Sequence, residues 1–284
     1  MTLELPQPVG FVMGGGGAFG AAQVGMLEAL AEANVRADLV AGTSIGAING
    51  VVVASDPVGA AHRLSHVWHH LGTQTILPGG LPRLVRTLWR TRTHLFDTPA
   101  IGELVAGEIP EHDISELAIP YLAMAVDADT SAPVELTSGP VLSAILASSA
   151  LPGVFPAATH EGRDFYDGGL VSNVPVLEAL AMGAKSLVVL DCQFPDQPLP
   201  RPTTLAEAVM YAITITMRQQ VLRDLPVAAQ QVPVLYLPGP TPMMISPLDF
   251  SKAAPLIDAA YRTARPFLEQ VRIDGPGLHR AHVT

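Results

Sequence analysis

Cysteine is nearly missing from this chain: Cys192 is the one thiol in 284 residues. No internal disulfide can form, so the interior must hold by packing, and a chain of this length can bury a full core in one large domain. No Cys/His cluster has metal-ligand spacing, so neither a metal nor another cofactor is expected. Charge is also scarce, at 15% of residues against 49% apolar ones. Even so, no stretch reads as a membrane span. The longest uncharged candidate, 39–55, contains Gly, Thr, Ser and Asn, which suits a buried strand and helix better than a lipid-facing one. No basic residue precedes Arg36, so a secretory leader is not expected and a cytoplasmic location is. The net charge of −10 argues against nucleic acid as a partner.

The acids and bases are unevenly spread. From Pro57 to Phe96 there is no acid but there are five arginines, whereas Thr93 to Gly162 holds ten acids and no Lys or Arg. Within 81–92, Leu81, Leu84, Val85, Leu88 and Trp89 recur at helical spacing opposite Arg83, Arg86 and Arg90. That pattern fits a lid or a reversible contact with an anionic lipid surface. It equally fits a packed helix with a solvated arginine face.

What is abundant is glycine, in telling places. Val9 to Met13 reads as a buried strand and 18–33 as a helix, so Gly14 to Gly20 (GGGGAFG) form the turn between them. Glycines there let the backbone approach a ligand, and amides at a helix N-terminus favour negative charge. An oxyanion is one such charge. Gly15, Gly17 and Gly20 also match GxGxxG, which dinucleotide-binding turns share. Asp38 lies at about the spacing that reading requires, but it precedes the apolar Leu39-Val40-Ala41 instead of ending it. A purely structural turn is the third reading.

Gly42-Thr-Ser-Ile-Gly46 follows a second strand (38–41) and opens a helix (45–54), the strand–turn–helix setting of a nucleophile elbow. Gly42 and Gly46 would avoid clashes in the tight turn and leave the Ser44 hydroxyl exposed. Alternatively Ser44 only caps the helix.

A serine needs a base. Four of the histidines, His62, His66, His69 and His70, fall on one expected helix, while His279 and His282 lie where chain ends usually fray. A triad in the order Ser, Asp, His could still use His279. The better candidate is Asp167 in Arg163-Asp-Phe-Tyr-Asp-Gly-Gly169, at the end of a strand that follows a Glu161-Gly162 hairpin turn. A buried carboxylate whose pKa is raised can take the serine proton directly. A turn aspartate without chemistry is the alternative.

These motifs, with Ser148–Pro156 (SSALPGVFP) before Asp167 and Val171–Pro175 (VSNVP) after it, resemble the patatin-like phospholipase family over about residues 9–192. The family carries a glycine-rich loop, a GxSxG serine and a DGG or DGA aspartate in this order, with no histidine in the pair. The resemblance implies Ser44 as nucleophile and Asp167 as base, with an oxyanion hole from the amides of Gly15, Gly16 and Gly17. Gly42 and Gly46 would frame the elbow, and Gly20, Gly168 and Gly169 are motif glycines. It implies a serine esterase that cleaves phospholipid or lysophospholipid through an acyl-enzyme, using neither metal nor nucleotide. An acyltransferase using the same acyl-serine and an inactive lipid-binding relative are the alternatives. One position departs: Phe19 stands where the family usually has Arg or Lys.

Alternating apolar strands and helices predict a three-layer α/β/α domain with a mainly parallel sheet. The whole chain, 1–284, is expected to be one domain, with 57–118 as a looser helical insertion and possible lid. Later elements are expected at 119–126, 134–136, 140–149, 175–182, 187–190, 203–224, 232–237 and 251–270. Asp127, Asp129 and Asp191 are expected in turn or capping roles. Met243-Met-Ile245, in a proline-rich loop, could border an acyl pocket or tuck onto the core.

Overall fold

The computed structural model describes residues 3–70, 105–195, 198–240 and 246–281. Strands β1 (Val9–Met13), β2 (Leu39–Thr43), β3 (Tyr121–Asp127) and β7 (Ser186–Leu190) form the centre of the sheet. They are buried along their whole length, as parallel strands covered on both faces must be. β8 (Pro233–Tyr236) and β9 (Gly277–Arg280) extend the sheet in parallel beyond β7. β4 (Pro133–Leu136), β5 (Ala158–His160) and β6 (Arg163–Asp167) are antiparallel additions around β3.

One face is covered by α1 (Gly20–Glu32), α2 (Ile45–Ser55), α3 (Ala60–His70), α4 (Val141–Ser148) and α7 (Ala253–Gln270), whose apolar residues share one core with Phe11, Met13 and Val40. The other face packs Val12, Ala41, Leu122 and Val189 against α5 (Val176–Ala181) and α6 (Leu205–Ala229). The expected three-layer α/β/α class is therefore the observed one. α2 is buried on every side, which explains why its sequence is apolar apart from Asn49 and the terminal Ser55. Thr204 and Glu207 form a capping box that starts α6 at Leu205, and the helix runs on to Ala229, past the expected end at 224.

Two details position the site. The connections from β1 run to β2 on one side, while β7 pairs on its other side, so the turn after β1 sits where the strand order reverses. The register of β3 supplies the second. Ala123 pairs with Gly42 on one edge and Leu136 on the other, so β2 and β4 flank it. Ala125 pairs with Val134 of β4 and with Asp167, which puts β6 on the β2 edge. Met124 faces Thr43, and the next residue faces Asp167. β6 thus takes over where β2 stops, and Asp167 arrives beside the residue that follows Thr43.

The C-terminal residues depart from expectation. Far from fraying, 277–280 pair with 233–236 as edge strand β9. Of the 57–118 insertion, α3 and the stretch from 105 are described, and Leu64, Trp68 and Val105 belong to the core. The pattern at 81–92 and Met243-Met-Ile245 lie outside the described residues.

Candidate active site

Ser44 sits between β2 and α2 with φ 55° and ψ −126°. A side chain adopts that backbone conformation only when its surroundings enforce it, at a cost of about 1–3 kcal/mol. The enforcement is visible at Gly46, where a Cβ would overlap the Met13 carbonyl oxygen. The start of α2 therefore rides directly on the end of β1. The Ser44 side chain makes no cap to α2, and its amide donates to Ser148 Oγ at 3.0 Å. Capping does not explain this serine. Gly42 is equally crowded, against the backbone of Gly46 and Ala47.

Asp167 ends β6 and is 2% exposed. Burial pushes its carboxyl up from 3.8 to about 6, held back by hydrogen bonds from the Ser44 hydroxyl and the Gly169 amide. The latter spans 2.8 Å to Oδ1. Gly168 lies flat on the Met124 backbone, where a Cβ would strike its carbonyl. Met124 is also the residue opposite Thr43, so this close approach brings the aspartate turn onto the elbow.

The glycine-rich loop is held through its carbonyls. Buried Gln23 Nε2 donates to Gly14 O and Leu190 O, both at 2.9 Å. Behind it, Asn49 Nδ2 donates to Gln23 Oε1 at 2.8 Å, and Trp68 Nε1 donates to Asn49 Oδ1 at 2.9 Å. Asn173 Nδ2 and Gln193 Nε2 donate to Gly15 O at 3.3 and 3.4 Å. Gly17 has φ +59° and lies against the Pro247 carbonyl, which accepts from Ala18 N at 2.7 Å. Gly16 packs on Cys192, and Gly20 faces Ile45 and Trp68.

One expectation is corrected here. The amide of Gly15, expected as an oxyanion donor with Gly16 and Gly17, donates to Asn173 O at 3.2 Å. An amide has a single proton, so Gly15 is engaged. The amides of Gly16 and Gly17 donate to no described residue.

Asn173, Gln23 and Gln193 were not singled out from the sequence. Asn173 is fully buried, its Oδ1 has no hydrogen-bond partner among the described residues, and it lies between Gly15 and Gly169. A Cβ on either glycine would come within 2.7 and 2.9 Å of it, respectively. The VSNVP similarity was the available signal, but it did not say what the asparagine touches.

The other candidates separate from this centre. His279 lies on β9, beyond β7 and β8 from β1, and its Nε2 bonds Gly275 O at 3.1 Å. A Ser–Asp–His triad through it is not assembled. His160 is buried against Ser143 Oγ at 2.7 Å, and His66 and His70 stack on each other along α3. Asp38 accepts from Val9 N at 2.7 Å, at the start of β2 and thus at the opposite end of the sheet from the glycine loop. The dinucleotide reading loses its acid. Asp127 caps its own turn, accepting from Thr130 and paired with Arg163, which hold its carboxyl down at about 2. Asp191 accepts from Gln193 N at 2.8 Å and Tyr236 Oη at 2.6 Å, and burial raises its pKa. Cys192 is buried, and burial pushes its thiol well up, as suits a core residue.

Among the described residues, no group of His, Cys, Asp and Glu could hold a metal ion, and no helix is long and apolar enough to cross a membrane.

The family model described as Patatin-like phospholipase matches residues 11–180. Mouse (Mus musculus) patatin-like phospholipase domain-containing protein 7 is 31% identical over 64% of this chain and 13% of its own length. Lysophospholipase NTE1 of Mycosarcoma maydis is 32% identical over 68% of this chain and 10% of its own. The chain thus spans about an eighth or less of the length of these curated relatives. Among solved structures, VipD from Legionella pneumophila aligns over 93% of this chain and 67% of its own, at 14% identity and a TM-score of 0.46. The chain belongs to the patatin-like phospholipase family.

Proposed function

We propose that this member of the patatin-like phospholipase family is a serine acyl hydrolase that cleaves carboxylic ester bonds of lipids, either phospholipids or lysophospholipids. The observation that carries the reading is the buried Asp167 carboxyl, which the register of β3 and the Gly168–Met124 contact bring onto the Ser44 elbow and whose pKa burial raises to about 6. A base of that strength is ionised at neutral pH and strong enough to accept a proton in the transition state. The names of the relatives, patatin-like phospholipase and lysophospholipase, support lipid esters as the substrate class.

Asp167 takes the proton as Ser44 Oγ attacks the ester carbonyl. The tetrahedral oxyanion is received by the amides of Gly16 and Gly17, near the N-terminus of α1, and each such donor contributes about 3 kcal/mol to the transition state. Collapse breaks the C–O bond, and the departing alcohol leaves with the proton from Asp167. Water then attacks the acyl-Ser44 ester and gives its proton to Asp167, and collapse to the carboxylic acid returns that proton to Ser44. A single domain comprising the whole chain carries these steps, with 57–118 as an insertion. The basic amphipathic pattern at 81–92 supports a reversible contact with an anionic lipid surface.

The test is hydrolysis of lipid and p-nitrophenyl esters by the wild type, Ser44→Ala and Asp167→Asn, beside labelling with a fluorophosphonate. Labelling of the wild type but not Ser44→Ala, with both variants inactive, is the expected result. A folded wild type that hydrolyses nothing and takes no label would overturn the reading in favour of a lipid-binding relative.

A further inference from the structure

Ser148 ends α4 and Ser149 follows it, and both are buried. Their hydroxyls go to different places. Ser149 Oγ donates to Ile145 O at 2.7 Å, one turn earlier in its own helix. Ser148 Oγ instead accepts from the Ser44 amide at 3.0 Å, across 104 positions of sequence. Two residues on, the Ala150 carbonyl accepts from the Asp167 amide at 3.1 Å. The turn at the end of α4 therefore holds the backbone of the proposed nucleophile through a side chain, and that of the proposed base through a carbonyl.

We propose that Ser148 is a positioning residue for the nucleophile: its side chain fixes the Thr43–Ser44 peptide in the orientation that keeps the Ser44 hydroxyl on Asp167. The inference rests on the hydrolase reading above and deepens it.

The need for such a hold lies in the backbone of Ser44. Its φ of 55° falls in a region that side chains rarely adopt. Contacts on either side anchor the elbow without fixing that angle. Thr43 Oγ1 donates to Ser172 O at 2.8 Å, and the Ser44 carbonyl accepts from Ala47 N and Ile48 N at 2.9 and 3.1 Å. Between these anchors the Thr43–Ser44 peptide can turn, trading ψ of Thr43 against φ of Ser44. The hydrogen bond to Ser148 resists that turn. Ser148 is a firm anchor, because it is fully buried and α4 packs on α2, β3 and β6. An alanine at 148 would leave the Ser44 amide without this acceptor. The peptide would then relax toward a common φ and swing the hydroxyl off Asp167.

The assay is kcat/KM for p-nitrophenyl butyrate as a function of pH, beside the rate of fluorophosphonate labelling, for wild type, Ser148→Ala, Ser148→Cys and Ser149→Ala. Ser148→Ala should lower kcat/KM and the labelling rate together, by about tenfold to a hundredfold, as misplacement of a reacting group does. Cysteine fills the space of serine but accepts hydrogen bonds weakly. Ser148→Cys should therefore show the same losses, and it serves if the alanine variant does not fold. Ser149→Ala, whose hydroxyl bonds only within α4, should leave both rates at the wild-type value.

The pH profile separates positioning from a general fold defect. Burial raises the Asp167 carboxyl to about 6, and hydrogen bonds from Ser44 and the Gly169 amide hold it back. With the Ser44 hydroxyl turned away, the first of those holds is lost. The acidic limb of kcat/KM in the Ser148 variants should then move to higher pH than in the wild type. Wild-type rates in both Ser148 variants, or a loss with the limb unmoved, would overturn the positioning role. If the wild type hydrolyses no ester and takes no label, the hydrolase reading fails separately, and a crystal structure of Ser148→Ala decides. A Ser44 φ that has left the positive region upholds the hold, whereas a φ still near 55° ends it.

Discussion

Replacing Asp167 by Asn should abolish esterase activity and stabilise the fold, by an amount that depends on pH. The carboxyl is 2% exposed, and its pKa is raised from 3.8 to about 6, chiefly by burial. At about 1.36 kcal/mol per pH unit, keeping it ionised in the folded protein costs about 3 kcal/mol. The sign follows from proton counting. Between the unfolded value near 4 and the folded value near 6, the folded chain binds more protons, so stability falls as pH rises through that window. The full cost is present above about pH 6 and is absent below about pH 4. Asn keeps an oxygen for the Gly169 amide but carries no charge to desolvate. Its advantage over wild type should therefore be about 1 kcal/mol at pH 4.5 and about 3 kcal/mol at pH 8, a rise of about 2 kcal/mol. Urea unfolding of both proteins at the two pH values measures it. The same titration requires kcat/KM of the wild type to climb with pH and flatten above about 6. An advantage that is constant or shrinks toward pH 8 would refute the assignment of a buried, poised carboxylate, whatever happens to activity.

Ser44→Gly should remove activity and raise stability by about 1–3 kcal/mol, seen as a higher melting temperature, because glycine tolerates the backbone that Ser44 is forced into. Gly46→Ala should lower stability by several kcal/mol, since its Cβ meets backbone that cannot move aside; soluble yield and urea midpoint report it, and a wild-type midpoint would contradict the packing of α2 on β1. Tyr236→Phe strips a hydrogen bond from buried Asp191, at a cost of about 1–3 kcal/mol at neutral pH that shrinks in acid as Asp191 protonates. Asn173→Ala should depress kcat more than it raises KM, because it releases the Gly15 carbonyl; an equal fall in stability and no change in kcat would assign the residue to folding alone.

The parts of the site that could be read in advance are those whose constraints are local. A strand, a glycine turn and a helix follow one another at Val9–Glu32 and again at Leu39–Ser55, and each turn geometry demands glycine within a few residues of the chemistry. Asp167 was found in the same way, from the Glu161-Gly162 hairpin and the Gly-Gly after it. What could not be read joins distant residues. Gln23 reaches Leu190 across 167 positions, and Asn173 reaches Gly15 across 158. Neither contact has a sequence period. The engagement of the Gly15 amide belongs to the same class, since its acceptor is a backbone carbonyl that any residue would supply. β9 was missed because Gly-Leu-His-Arg has little strand character of its own; the unpaired edge of β8 recruits it.

The departure at Phe19 can be weighed against these contacts. A basic residue there would anchor the loop or meet an anionic headgroup. Anchoring does not depend on it here. Phe19 packs edge-on against Phe194, with ring centroids 6.3 Å apart at 84°. The Pro247 carbonyl holds Ala18, while Gln23, Asn173 and Gln193 hold the carbonyls of Gly14 and Gly15. A loop fixed by its carbonyls and by an aromatic contact keeps Gly16 and Gly17 in place without a guanidinium. What the substitution removes is one positive charge from the glycine-rich loop, worth most to a phosphate and nothing to a hydrocarbon.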